Sequence, residues 1–80
     1  MKIYLLEQNE QRGYDTYDSC IVAADSPDEA ARMHPRGGTI PLNPSQDTWA
    51  DNPMNVKVTL IGYALPDTKK GVVLASYNAG

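Results

Sequence analysis

Between residues 35 and 55 the chain carries Pro35, Pro41, Pro44 and Pro53 together with the pair Gly37-Gly38. Proline lacks the amide proton that helices and strand ladders use, and glycine loses the most entropy when it is ordered. Regular structure is therefore confined to the two flanks. The middle reads as an irregular surface crossing, with room for a brief strand near Thr39 to Leu42. A structureless loop of about 20 residues is uncommon in a compact domain and often marks a functional segment. Trp49 is its largest apolar side chain and is expected to pin the loop to the core.

On the first flank, Lys2 to Glu7 is rich in strand formers, with Ile3 and Leu5 on one face and Tyr4 and Leu6 on the other. Apolar groups on both faces suit a central strand. Gln8 to Gly13 supplies turn chemistry, and a second strand runs from about Thr16 to Ala24, so an antiparallel hairpin with a long acidic tip is expected. Ser26-Pro27-Asp28-Glu29 then forms a helix start: a serine cap, proline at the first helical position, and acids at the positive end of the dipole. Pro27, Ala30, Ala31 and His34 form an inward stripe, and Pro35 disfavours helical geometry at His34, which predicts a helix of about two turns ending there.

On the second flank, Val56, Val58 and Leu60 alternate with Lys57 and Thr59, the period of a half-buried strand. Pro66 to Gly71 reads as a hairpin connection, and Val72 to Tyr77 as the return strand. The order strand, strand, helix, loop, strand, strand predicts an α+β fold: a small antiparallel sheet of about four strands with one short α-helix packed on a face. Eighty residues make a single domain, 1–80, whose core must be small, because such a chain buries only about 60% of the surface its unfolded form exposes. An apolar fraction of 41% is that of a globular protein. No span approaches the roughly 20 apolar residues of a membrane helix, so no membrane association is expected.

Chemistry-bearing residues are sparse. One cysteine makes neither an internal disulfide nor a cysteine-rich zinc site. Cys20 lies mid-strand, where a buried, inert thiol is expected. His34 is placed to satisfy a free carbonyl at the end of the helix. Asp15 and Asp18 have no third ligand at a recognisable spacing, so no metal and no cofactor is expected. Arg36-Gly37-Gly38-Thr39 follows a helix instead of preceding one, which makes it a poor phosphate cradle. No nucleophile, base and orienting group can be assembled, and the chain is read as non-enzymatic.

The informative asymmetry is in the acids. Glu7, Glu10, Asp15, Asp18, Asp25, Asp28 and Glu29 stand against Arg12 alone, a segment of net charge −6 in a chain of net −3. Tyr14 and Tyr17 are interleaved with them, and tyrosine gives rigid contact area at low entropic cost. An acidic, tyrosine-bearing loop suits a basic protein surface, including one that otherwise holds nucleic acid. The plainer reading is that the acids cap the helix and keep a small domain soluble while the tyrosines pack on the sheet. Lys57, Lys69 and Lys70, with Arg32 and Arg36, are the opposite patch. They form no single run, and Lys69-Lys70 reads as simple solvation of a turn.

Several stretches resemble small proteins carried by phages and prophages. They are Met1 to Leu6, Gly13-Tyr14-Asp15-Thr16-Tyr17-Asp18-Ser19, Val22-Ala23-Ala24, Asp28 to Ala31, His34-Pro35, Val56 to Gly62, and Lys70 to Gly80. The chain is similar to anti-CRISPR inhibitors of type I, in particular type I-C, systems. The resemblance implies a non-catalytic inhibitor in the host bacterial cytoplasm. Its partner would be the host CRISPR effector complex, bound at a basic DNA-binding surface or where the nuclease-helicase docks. The residues expected to make that contact are Tyr14, Asp15, Tyr17 and Asp18, with Glu10 and Asp25 as outer contributors. Direct nucleic-acid binding is not expected, and the chain is read as a monomer. The alternatives are a phage accessory protein that binds nucleic acid through the lysines, and a small structural or assembly protein of the particle.

Overall fold

The computed structural model describes residues 1–40 and 48–78, with Asn78 described by its backbone alone. It contains β1 (Lys2–Gln8), β2 (Thr16–Ala24), α1 (Pro27–Ala31), a 3-10 turn at Pro53–Asn55, β3 (Val56–Tyr63) and β4 (Gly71–Asn78). The strands form one antiparallel sheet in the order β3-β1-β2-β4, with α1 on one face. The α+β expectation holds, and so does the central place of β1, whose two apolar faces need cover from both sides.

Register decides which side chains meet. Val58, Leu6, Cys20 and Ala75 form one row across the sheet, and Tyr4, Val22 and Val72 form part of the next. These rows face the layer built from Ala30, Met33, Ile40, Trp49 and Ala50, and together they make the core. Trp49 is 1% exposed, so the loop is pinned as its composition predicts. The other face presents the row Thr59, Leu5, Ile21 and Leu74. Leu5 and Ile21 are half-buried there, while Leu74 is 64% exposed.

The structure corrects the sequence reading in several places. α1 spans five residues and ends at Ala31, not His34. Arg32 and Met33 donate to the carbonyls of Glu29 and Ala30, three residues back, so the last turn tightens before Pro35 instead of running up to it. His34 and Gly38 then close a tight turn, and Met33 pairs singly with Thr39. Of the brief strand expected near Thr39 to Leu42, only Thr39 and Ile40 are among the described residues. At the helix start Ser26 Oγ accepts the Glu29 amide at 3.1 Å, as a cap should. The Glu29 carboxylate closes back onto the Asp25 amide at 2.9 Å.

The second correction concerns topology. β3 and β4 are not a hairpin; they lie at opposite edges of the sheet, and residues 64–70 cross the end of the β1-β2 pair. Three strand spacings amount to roughly 14 Å, within reach of seven extended residues. Ala64 donates to the Met1 carbonyl at 3.0 Å on the way. Lys70 ends the crossing in ion pairs with Asp25 at 3.0 Å and Glu29 at 2.9 Å, so it is a tether to the helix start and not a merely solvated turn residue.

Cys20 is buried as expected, and burial pushes its thiol up to about 12. The thiolate is the reactive form. The folded protein should therefore resist an alkylating reagent at pH 8 and take up one equivalent when denatured. Rapid labelling of the native protein would contradict this placement.

Candidate functional site

The tip of the β1-β2 hairpin is built by local geometry. Gln8 closes its first turn, its side-chain amide donating to the carbonyls of Gln11 at 2.7 Å and Tyr17 at 3.0 Å and accepting the Gln11 amide at 2.8 Å. Gly13 takes φ +100° and Asp15 φ +63°, the left-handed region that glycine and aspartate tolerate best. Thr16 Oγ1 donates to the Gly13 carbonyl at 2.8 Å and locks the second turn. The ladder then slips one residue at Asp18, which lies opposite no residue of β4.

Tyr17 is the hub. Its amide donates to the Thr48 carbonyl at 2.8 Å, and its ring centroid lies 4.7 Å from that of Tyr77 and 6.3 Å from His34, edge-on to the latter. Arg36 Nε donates to the Tyr17 hydroxyl at 3.3 Å, with the guanidinium carbon 6.0 Å from the ring centroid. Tyr77 Oη donates to Asp15 Oδ1 at 3.3 Å. Partial burial and the Asp15 charge both raise the Tyr77 phenol above its ordinary value, so it stays a proton donor to that carboxylate. Around this scaffold Tyr14 is 76% exposed and Asp18 is exposed, with no ion pair to it among the described residues.

Four of the six residues singled out in the sequence therefore share one end of the molecule: Tyr14, Asp15, Tyr17 and Asp18. The other two lie elsewhere. Glu10 accepts the Asp51 amide at 2.8 Å and Asn55 Nδ2 at 2.7 Å, tying the hairpin to the approach to β3. Asp25 sits past the far end of β2, about 30 Å of extended strand from Asp15, in its ion pair with Lys70. Asp28 is 3.9 Å from Arg32, and Glu29 is held by Lys70. Much of the segment's negative charge thus serves caps and tethers, as the plainer reading has it. Tyr77 and Arg36 join the cluster from 60 and 19 residues away along the chain from Tyr17, through pairings that no local pattern announces.

His34 is 2% exposed and does not cap the helix; its Nδ1 accepts the Arg36 amide at 3.0 Å. Burial, aided by the Arg36 charge and opposed by that of Asp51, holds its pKa below the ordinary value. The unfolded chain then binds the proton more readily, so stability should fall as pH drops through about 6.5. Glu10 and Glu29 lie below the usual carboxylate range because of the hydrogen bonds each accepts, from Asn55 first and from the Asp25 amide first. Their contribution is present above about pH 4.3 and is lost as pH falls toward their folded values. Thermal melts should therefore be flat only between about pH 7 and 8, decline below about 6.5, steepen below about 4.5, and decline again above about 8.5, where the unfolded chain ionises the thiol that Cys20 keeps protonated in the fold. His34→Gln should remove the first limb, and an unchanged melting temperature between pH 7 and pH 5 would contradict the assignment.

Among the described residues no group of three or more His, Cys, Asp or Glu side chains could hold a metal ion. No described helix is long and apolar enough to cross a membrane. A search among known proteins finds no matching family model, no matching curated protein and no matching solved structure.

Proposed function

We propose that this chain is a non-catalytic inhibitor that binds a type I CRISPR effector complex in the host bacterial cytoplasm through the hairpin tip. The observation that carries the proposal is the tip itself: Tyr14, Asp15 and Asp18 are exposed on a scaffold fixed by Tyr17, Tyr77 and Arg36. Rigid aromatic area beside exposed carboxylates suits a basic protein groove, where a desolvated carboxylate pairs with Arg or Lys and the ring fills a pocket. Occupying such a groove would block target DNA or the docking of the nuclease-helicase. The resemblance to type I-C inhibitors points to the same partner.

The lysine-based nucleic-acid reading gains no support from the geometry. Lys70 is held by two carboxylates, and Lys57 lies opposite Glu7 in the ladder. The test is plaque formation by a phage that a type I-C system targets, in hosts expressing the chain or an empty vector, followed by capture of purified effector complex on the tagged protein. Restored plaquing with stoichiometric capture is the expected result. No restoration across several type I subtypes, with the protein accumulating in soluble form, would overturn the proposal.

A further inference from the structure

The hairpin tip rests on a buried imidazole. His34 is 2% exposed, and its Nδ1 accepts the Arg36 amide. A ring nitrogen that accepts carries no proton, so the neutral ring holds its proton on Nε2. Nε2 is buried as well and has no hydrogen-bond partner among the described residues. The ring is therefore fixed at Nδ1 by a bond that exists only while Nδ1 is unprotonated. That bond also shapes the turn after α1, in which the Gly37 amide donates to the His34 carbonyl at 2.8 Å. The same turn aims Arg36 at the tip, where its Nε donates to the Tyr17 hydroxyl. His34 and Arg36 thus meet the Tyr17 ring from one turn, and Tyr77 meets it from β4. Tyr77 in turn bonds Asp15, whose φ of +63° is one that a residue other than glycine keeps only where its surroundings hold it.

A proton on Nδ1 undoes this arrangement. It removes the acceptor, sets a ring N–H against the Arg36 N–H and puts a positive ring beside the Arg36 guanidinium. The titratable and charged groups that face His34 are Tyr17 from β2, Arg36 from its own turn and Asp51 from the segment before β3. Tyr77 and Asp15 lie beyond Tyr17. Of the three that face it, only Asp51 favours the charged ring, and it acts against both burial and Arg36. The turn is also built to yield. Gly37 and Gly38 take φ +101° and +77°, a Cβ on Gly37 would meet nothing within 4 Å, and both glycines border a cavity of about 350 Å³. Glycines absorb backbone rotations at little steric cost.

We infer that His34 is a proton-operated latch for the hairpin tip: protonation at Nδ1 frees Arg36 and Tyr17 and loosens Tyr14 to Asp18 while the four-stranded sheet stays folded. The opened form binds the proton more readily than the closed one. Its share therefore rises as pH falls below about 6.5, by up to about tenfold per pH unit. The latch is a property of the free chain, and only its effect on effector capture, which should weaken in acid, rests on the proposed function.

The test is nuclear magnetic resonance of the isotope-labelled full chain without any effector, so its failure leaves the inhibitor reading untouched. The His34 ring signals give the midpoint of its titration, and nitrogen relaxation gives amide order parameters on either side of it. Near neutral pH tip and strands should both lie near about 0.85. At about one pH unit below the midpoint, Tyr14, Asp15 and Asp18 should fall below about 0.6 while Leu6, Cys20 and Val22 keep their values. His34→Gln offers the Arg36 amide a side-chain oxygen that does not titrate, so its tip should stay rigid at both pH values. Arg36→Gln should raise the His34 midpoint, because a like charge is removed. A tip that stays rigid while His34 titrates would overturn the proposal. So would tip and strands losing order together, or an equal loosening in His34→Gln, which would assign the change to the tip carboxylates.

Discussion

Trp49→Ala is expected to leave the chain mostly unfolded at physiological temperature. Trp49 is the largest fully buried side chain, and it comes from the loop, not from a strand or helix. Truncating a buried Trp to Ala typically costs about 3–5 kcal/mol, while a domain of this size holds about 4–12 kcal/mol in total. The loss spreads through two tethers beside the ring. The Thr48 carbonyl accepts the Tyr17 amide, and the Asp51 amide donates to Glu10, so releasing residues 48–51 also loosens the tip. Far-UV circular dichroism should show a melting temperature lowered by about 12 °C or more, taking about 4 °C per kcal/mol. Trp49→Phe should cost much less. It keeps a ring in the core and deletes an indole N–H that has no hydrogen-bond partner among the described residues. A shift under 5 °C for Trp49→Ala would show that the loop does not hold the sheet's second layer in place.

How much of this could be read from the residues follows the range of the forces involved. The alternation in Lys2 to Glu7 and in Val56 to Leu60 is a local record of two-sided and one-sided burial, so both strands and the central position of β1 were legible. Ser26 and Glu29 bond within one turn of chain, so the helix start was legible as well. Its end was not, because the effect of Pro35 reaches back through the tightened turn to Ala31. Pro66 to Gly71 carries good turn residues, but a turn sequence does not choose a strand's partner. That choice falls to the β1-β2 hairpin, which occupies the centre and leaves β3 and β4 one edge each. The candidate site divides in the same way. The segment Tyr14 to Asp18 was visible as an acidic, aromatic run, whereas Tyr77 and Arg36 reach it only through the β2-β4 ladder and the turn after α1. Glu10 and Asp25 look like members of the run along the chain, and the strand length between them separates them in space.

The tip should therefore divide into residues that bind and residues that hold the others in place, and mutagenesis should separate them. Tyr14→Ala and Asp18→Arg alter exposed side chains that make no hydrogen bond or ion pair among the described residues, so the melting temperature should stay within a few degrees of the parent's. Their effect on capture of the effector complex should be large. An anchor tyrosine seated in a partner pocket commonly accounts for about 2 kcal/mol or more, roughly thirtyfold in affinity. Reversing a carboxylate that faces a basic groove adds repulsion to the lost attraction, so the double variant should lose about a hundredfold or more. Tyr17→Ala should behave differently. It removes the ring that His34, Arg36 and Tyr77 pack around, and so should lower the melting temperature and weaken capture together. Tyr17→Phe keeps the ring and loses only the acceptor for Arg36, which should restore most of the stability. Surface plasmon resonance against immobilised effector, alongside melts of the same samples, reads both quantities. If Tyr14→Ala with Asp18→Arg bound as tightly as the parent, the tip would not be the contact surface, and inhibition would have to arise from another face of the sheet.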